Sequence, residues 1–505
     1  MMYKQMSVGL AALWLSSVAV AAELTPWYQQ GQAALQQAIG QTVNTSRAKN
    51  IILFVGDGMG VSTVTAARIY QGQLQGLAGE QHRLFFETLP YTALSKTYNS
   101  NQQTADSAGT MSAMMTGVKT KAGFIALNER PQRGDCVAAL ANQQTTFLEQ
   151  AEQAGMATGV VTTARITHAT PAATYAHSPE RGWESDFDMP AAAKQQGCKD
   201  IAAQLLVFEL GDGIDVVLGG GRRNFLPVAK PGVDNNTFNG VRRDGRNLIN
   251  EWQAKYPQGS YVTNQQQLQA LNTSSTAQVL GLFSDSHLPY ALSRNADSSE
   301  PRLVDMTSKA IELLSRNQQG YFLMVEGGRI DHGHHGNSAK KALTETLELA
   351  EAIEQAYRMT SAEETLIIVT ADHSHVLTMA GYPTRGNPIL GKVVVNDEQG
   401  NPMPQPDLAL DGKPYTTLAY ANGEVAMNKK TILPRESVSA VNTEADDYTQ
   451  QALVPLLYGE SHGGEDVAIY ASGPWAHLFR GVQEQHYIYH VMRHAAQLDS
   501  RSSSE

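Results

Sequence analysis

A chain of 505 residues, 42% hydrophobic and 17% charged, can bury a large core, and this composition excludes a disordered or fibrous protein. Its formal net charge of −11 excludes nucleic acid as the main partner, because binding to a phosphate backbone needs clustered Lys and Arg. An anionic substrate would need positive charge concentrated locally, from metal ions or a well-placed Arg.

Residues 1–22 begin with one cation, Lys4, and continue through an apolar stretch at 8–20 to the small residues Ala19, Ala21 and Ala22. This is the pattern of a secretory signal peptide, with cleavage expected after Ala21 or Ala22. The apolar run is shorter than the ~20 residues that span a bilayer. The polar tail at 493–505 carries no lipid-anchor signal, so the mature chain is expected to be soluble, without a membrane anchor, and periplasmic or secreted. Cys136 and Cys198 are the only cysteines and lack the CxxC spacing of a redox or zinc motif. In an exported chain the pair reads as one disulfide.

Short apolar runs at residues 50–55, 158–162, 215–218, 321–325, 365–370 and 467–471 predict strands, and 144–154 and 303–315 predict amphipathic helices. Their alternation predicts an α/β fold with a largely parallel central sheet covered by helices on both faces. Residues 227–287 and 381–457 are richer in Gly, Pro, Asn and Gln and read as insertions within one domain spanning 23–505.

In such sheets the ligand site lies beyond the carboxyl ends of the strands. Asp57, Glu326 and Asp372 stand at the ends of three predicted strands. One such acid could be a turn residue or a helix cap, as Asp57 in Gly56-Asp57-Gly58 would be; three in register point to a site. His332, His334, His335, His373 and His375 lie within or beside the same acid-bearing turns, and His462 precedes Gly463-Gly464. His with Asp is a common zinc ligand set. Asp106-Ser107 precedes an Ala- and Met-rich helical run, which puts Ser107 near a helix N-terminus, where an anion is favoured. The same two residues also read as a simple N-cap, and the segment alone does not decide between the two. With no Gly-x-Ser-x-Gly elbow present, the serine needs another activator, such as a metal.

Five ordered segments resemble alkaline phosphatases: Val55-Gly56-Asp57-Gly58-Met59-Gly60, Thr104-Ala105-Asp106-Ser107-Ala108, the run from Glu326 to His335, Thr370-Ala371-Asp372-His373-Ser374-His375, and His462-Gly463-Gly464-Glu465-Asp466-Val467 with the following Gly473-Pro474. The resemblance runs from about residue 50 to 494 and implies a phosphomonoesterase with Ser107 as nucleophile. It implies one zinc on Asp331, His335 and His462, a second on Asp372, His373 and Asp57, and a magnesium-type site on Asp57, Thr170 and Glu326. Arg181 would grip the phosphate, with Asp106 orienting it. His168 and His332, behind the ligands, stand where some bacterial members carry Asp and Lys, so both positions resemble the animal enzymes. Ser284 stands where animal members carry a calcium-ligating Glu, so no calcium site is expected. The cysteine pair matches the animal pattern. The family also implies a homodimer, with a variable crown built from the second insertion and Tyr382 near its start.

Small phosphate monoesters are the implied substrates. A sulfatase would need a modifiable Cys or Ser followed by Pro-x-Arg, which Ser107-Ala108-Gly109-Thr110-Met111 lacks. A phosphodiesterase would share the ligands at the strand ends. A non-catalytic scavenger of metal or phosphate would not require Ser107 and Arg181 in matching positions.

Overall fold

The computed structural model describes residues 25–229, 239–295, 297–424, 437–456 and 459–498. The expected signal peptide at residues 1–22 lies outside the described residues. The chain divides into two compact units, one ending at Thr42 and the other starting at Val43. In the first, the described residues form the helix Pro26–Ile39, whose N-cap Thr25 accepts a hydrogen bond from the Tyr28 amide and is followed by proline, which has no amide to leave unpaired there.

The second unit is built on β1 (Asn50–Gly56), which lies near the centre of a ten-stranded sheet. Its residues alternate between two cores: Ile51, Leu53 and Val55 enter one, Ile52 and Phe54 the other. A strand buried on both faces has no polar side, which is why it reads as an unbroken apolar run. The remaining strands are β2 (Tyr91–Lys96), β3 (Ala157–Arg165), β4 (Val216–Gly220), β5 (Ser260–Val262), β6 (Val279–Leu282), β7 (Tyr321–Gly327), β8 (Thr365–Ala371), β9 (Ser374–His375), β10 (Leu377–Met379), β11 (Leu418–Glu424), β12 (Ala452–Leu456), β13 (His462–Gly463), β14 (Val467–Ser472) and β15 (Val482–Glu484). The large sheet runs β15-β2-β14-β8-β1-β7-β3-β4-β6-β5. Among these strands only β14 runs against the others.

Helices cover both faces. Met111, Met114 and Met115 of the helix Ser107–Thr116 and Ile488, Val491 and Met492 of Tyr487–Ala496 pack on one side, while Leu303–Leu314 and Ala339–Met359 pack on the other. The expected sheet and its two helical layers are therefore present. Residues 227–287 supply β5 and β6 to one sheet edge, and residues 377–456 contain a separate three-stranded sheet, β10-β11-β12.

Cys136 and Cys198 are bonded, with Cα atoms 5.8 Å apart, and pack with Trp183, Met189 and Ala193. Closing a loop of this length stabilises the fold by about 4 kcal/mol in the chain-entropy account. Among the described residues no helix is long and apolar enough to cross a membrane.

Candidate active site

The sheet register gathers the acids. Val55 lies beside Glu326 on one flank and Thr370 on the other, and Gly56 lies beside Gly327 and Ala371. Asp57 and Asp372 thus leave adjacent strands at the same level, next to Glu326 near the end of β7. All three are fully buried. The turn after β1 needs Gly58, whose φ is +69° and whose amide donates to Asp372 Oδ1 at 3.0 Å. A Cβ there would lie 2.3 Å from the His375 ring.

The possible ligands form overlapping groups, which also join His375 to Asp331 and to His335 and Glu460, and three of them follow the motifs. Asp331 and His335 lie four residues apart on the helix Arg329–His335 and so project to one side. His335 Nε2 is 3.2 Å from Asp331 Oδ1 and 3.1 Å from His462 Nε2, and His462 Nε2 is 3.4 Å from the same Asp331 oxygen. His373 Nε2 lies 3.4 Å from both Asp57 Oδ1 and Asp372 Oδ2. Asp57, His168 and Glu326 bring one ligand atom each within 4.8 Å of one another. Both oxygens of Asp57, Glu326 Oε1 and Asp372 Oδ2 are buried with no well-aligned hydrogen-bond partner among the described residues, and the buried Thr170 hydroxyl lies beside Glu326. Buried acceptors in such number call for cations, and the mix of imidazole nitrogen and carboxylate oxygen suits zinc at the first two groups and a harder ion at the oxygen-rich third.

The electrostatics agree. Burial raises the Asp57 carboxyl well above its usual range, and the charges of Asp372, Asp331 and Glu326 add to that rise. Burial pushes Glu326 up to about 8, against the Thr162 hydroxyl that hydrogen-bonds it and with the help of Asp372. Asp331 goes the other way: burial pushes it up, but His335, His375 and His462 together hold it well below the carboxylate range. Cations among these groups would remove the repulsion that raises Asp57 and Glu326.

Ser107 opens its helix, and Asp106 is the N-cap, accepting from the Gly109 amide at 3.2 Å. The other Asp106 oxygen accepts from the Gly123 amide at 2.9 Å and from Arg181 Nη1 at 3.3 Å. One carboxylate therefore both caps the helix and contacts Arg181. Ser107 is buried, and its Oγ lies 3.0 Å from His373 Nε2. Arg181 Nη2 lies 3.3 Å from His168 Nε2. The His168 and His332 rings are neighbours, and burial lowers the pKa of both. His332 falls to about 4 despite the pull of Asp331, which leaves it neutral near pH 7.

His334, grouped with the other histidines in the sequence, turns elsewhere: its Nε2 meets the Thr63 hydroxyl at 2.9 Å and its Nδ1 meets Tyr420 Oη at 2.8 Å. Three residues that the motifs do not single out join the site's surroundings. The His287 ring lies tilted against His332 at 4.1 Å, Arg165 contacts His287, and Glu460 contacts His375. Glu460 stands two residues before His462, but no motif or spacing joins it to His375, and the other two carry no signal either.

The sequence profile of the alkaline phosphatases, matched over residues 48–498, accounts for nearly the whole second unit. The chain belongs to the alkaline phosphatase family. It is similar to alkaline phosphatase of Gadus morhua, 46% identical over 478 residues that cover 93% of this chain and 96% of that one. The tissue-nonspecific isozyme of Gallus gallus is likewise 46% identical, over 96% of this chain and 92% of its own. Among solved structures, alkaline phosphatase from Thermus thermophilus matches with a TM-score of 0.63 at 26% identity, covering 94% of this chain and 96% of that one. Membership of this family makes the chain a metal-dependent phosphoric monoester hydrolase.

Proposed function

We propose that this alkaline phosphatase cleaves small phosphate monoesters through a phosphoserine on Ser107, with two zinc ions and one magnesium-type ion in attendance. The first zinc is held by Asp331, His335 and His462, the second by Asp57, Asp372 and His373, and the third ion by Asp57, Glu326 and Thr170. The convergence of Asp331, His335 and His462 to within 3.4 Å carries this reading, since it turns two imidazole nitrogens and a carboxylate oxygen from two distant segments toward one point. When bound, such cations neutralise phosphate charge and lower the pKa of oxygen nucleophiles.

The chain's own groups set the rest of the reaction. Arg181, steadied by Asp106, offers a planar fork to two phosphate oxygens. The N-terminus of the helix Ser107–Thr116 adds its free amides and positive dipole end beside the same phosphate. Ser107 Oγ gives up its proton to solvent and attacks phosphorus, the ester O–P bond breaks, and the leaving oxygen takes up a proton from solvent, so the step is proton-neutral. A water then attacks the phosphoserine, the Oγ–P bond breaks, Oγ takes back a proton from the attacking water, and inorganic phosphate is released.

The remaining expectations belong to the same reading. The chain is exported, residues 23–505 form one domain with two insertions, and the second insertion forms a crown over a homodimer interface. Tyr382, Leu453 and Val454 are exposed in this region, which suits a second copy as their cover. Hydrolysis of p-nitrophenyl phosphate that is abolished by a chelator, with the matching sulfate and diester hydrolysed far more slowly, is the expected outcome. Preference for the sulfate or the diester, or binding without turnover, would overturn it.

His168 and His332 tune the third site and the phosphate. A carboxylate in place of the neutral His168 would add negative charge beside Asp57 and Glu326, and changes of this kind alter metal affinity by about 10 to 100-fold. His168→Asp is therefore expected to lower the free magnesium needed for half-maximal activity, and His332→Lys to lower the inhibition constant for phosphate by adding a fixed charge. Magnesium titrations and phosphate inhibition of the three proteins decide the matter; unchanged values in both variants would remove the two histidines from this role.

A further inference from the structure

Behind the proposed first zinc group lies a chain of contacts that the ligand motifs do not contain. Glu460 is buried, and both of its carboxylate oxygens are used. Oε1 accepts from the Val376 amide at 2.8 Å, and Oε2 lies 2.6 Å from His375 Nδ1. The opposite ring nitrogen, His375 Nε2, lies 2.8 Å from Asp331 Oδ1. A carboxylate only accepts hydrogen bonds, so the Glu460 contact draws an N–H to Nδ1 and fixes both the plane and the direction of the ring. The main chain of Glu460 acts on a second ligand. Its carbonyl accepts from His335 Nδ1 at 2.7 Å, which leaves His335 Nε2 facing Asp331 and His462.

We propose that Glu460 is the positioning residue of the first zinc site, its side chain aligning Asp331 through His375 and its carbonyl aligning His335. Two of three ligands are thereby set by one residue, and the third, His462, follows it by two positions. Packing confines the same ring: the close approach of Gly58 blocks one side of His375, and β9 pairs His375 with His462 on β13. The Glu460 carboxylate meets the Nδ1 side of both rings, 2.6 Å from His375 and 3.7 Å from His335, while the Nε2 atoms of the same rings face Asp331, so it stands on the far side of both histidines from that ligand. Outer contacts of this kind typically change metal affinity by about 10 to 100-fold.

The inference rests on the zinc site proposed above, and one experiment separates the two. The fully loaded enzyme is mixed with excess chromophoric chelator, and zinc release is followed directly with kcat and KM measured in parallel. In Glu460→Gln a single oxygen must serve both the Val376 amide and His375, so one zinc is expected to leave about 10 to 100-fold faster than in the parent, with the other released at the parental rate. Glu460→Asp, which keeps two acceptor oxygens, should recover part of the retention and also serves if the Gln variant does not accumulate. His375→Ala should match Glu460→Gln, and the double variant should release zinc no faster than His375→Ala alone. Parental release from the Glu460 variants, or effects of Glu460 and His375 that multiply in full, would overturn the positioning role. A parent enzyme that binds no zinc would instead overturn the site on which it rests.

Discussion

Replacing Ser107 with Ala is expected to leave a folded protein with its full complement of metal but with kcat lower by about 10³-fold or more, a loss of about 4 kcal/mol of transition-state stabilisation. Ser107 is the first residue of its helix, and the cap is made by Asp106, so the substitution removes one oxygen and leaves the hydrogen bonds of the helix start intact. Alanine is also the better helix former. No neighbouring hydroxyl can take over, because the nearest along the helix, Thr110, donates to the carbonyls of Asp106 and Ser107 instead. Substrate binding by Arg181 should survive, since its contacts with Asp106 and His168 do not involve the serine. KM should therefore change much less than kcat. The decisive measurement is acid quenching with labelled substrate. The variant should yield no phosphoenzyme, and a phosphoenzyme at parental yield would remove Ser107 from the nucleophile's role.

The sheet and most of its site were readable because their signals are local. Strands buried on both faces, such as β1, β7 and β8, appear as unbroken apolar runs, and their registers put Asp57, Glu326 and Asp372 at one level, as expected from their positions at the strand ends. β2 carries no readable run because four of its six positions, Tyr91, Thr92, Leu94 and Lys96, are exposed or only partly buried and its apolar residues are interrupted. β5 and β15 are three residues long and lie at the sheet edges, too short to show a period. Glu326 sits inside its strand, not after it, because the backbone pairing of β7 continues past the last apolar residue to Gly327. The histidine run gave the opposite lesson. Successive residues on a helix diverge by about 100°, so His334 leaves the site for Thr63 and Tyr420 while its neighbour His335 enters it. Glu460 was hidden for a different reason: its partner His375 is 85 residues away in the chain, and no spacing rule joins them.

Removing the metals is expected to destabilise the fold in a way that grows with pH. Asp57, Glu326 and Asp372 are fully buried, and Asp57 Oδ1 and Oδ2, Glu326 Oε1 and Asp372 Oδ2 have no well-aligned hydrogen-bond partner among the described residues. An ionised carboxylate in that position costs several kcal/mol unless a cation faces it. Without cations the cluster is relieved by binding protons, and burial accordingly raises Glu326 from 4.5 to about 8 and raises Asp57 and Asp372 as well. Between those two values the folded form holds a proton at Glu326 that the unfolded chain has released. The Glu326 contribution is therefore fully present below about 4.5, falls as pH rises, and is lost above about 8, at a slope of up to about 1.4 kcal/mol per pH unit for each such group. His375, raised to about 10 by Asp331 and Glu460 against the effect of burial, loses stabilisation in the same direction as pH rises. Calorimetry of chelator-treated protein should thus show Tm falling between about pH 5 and about pH 8, while the metal-loaded protein, whose carboxylates face cations, changes far less over that range. Equal Tm values for the two forms at the higher pH would mean that these carboxylates are not compensated by metal, and the proposed sites would fall with that result.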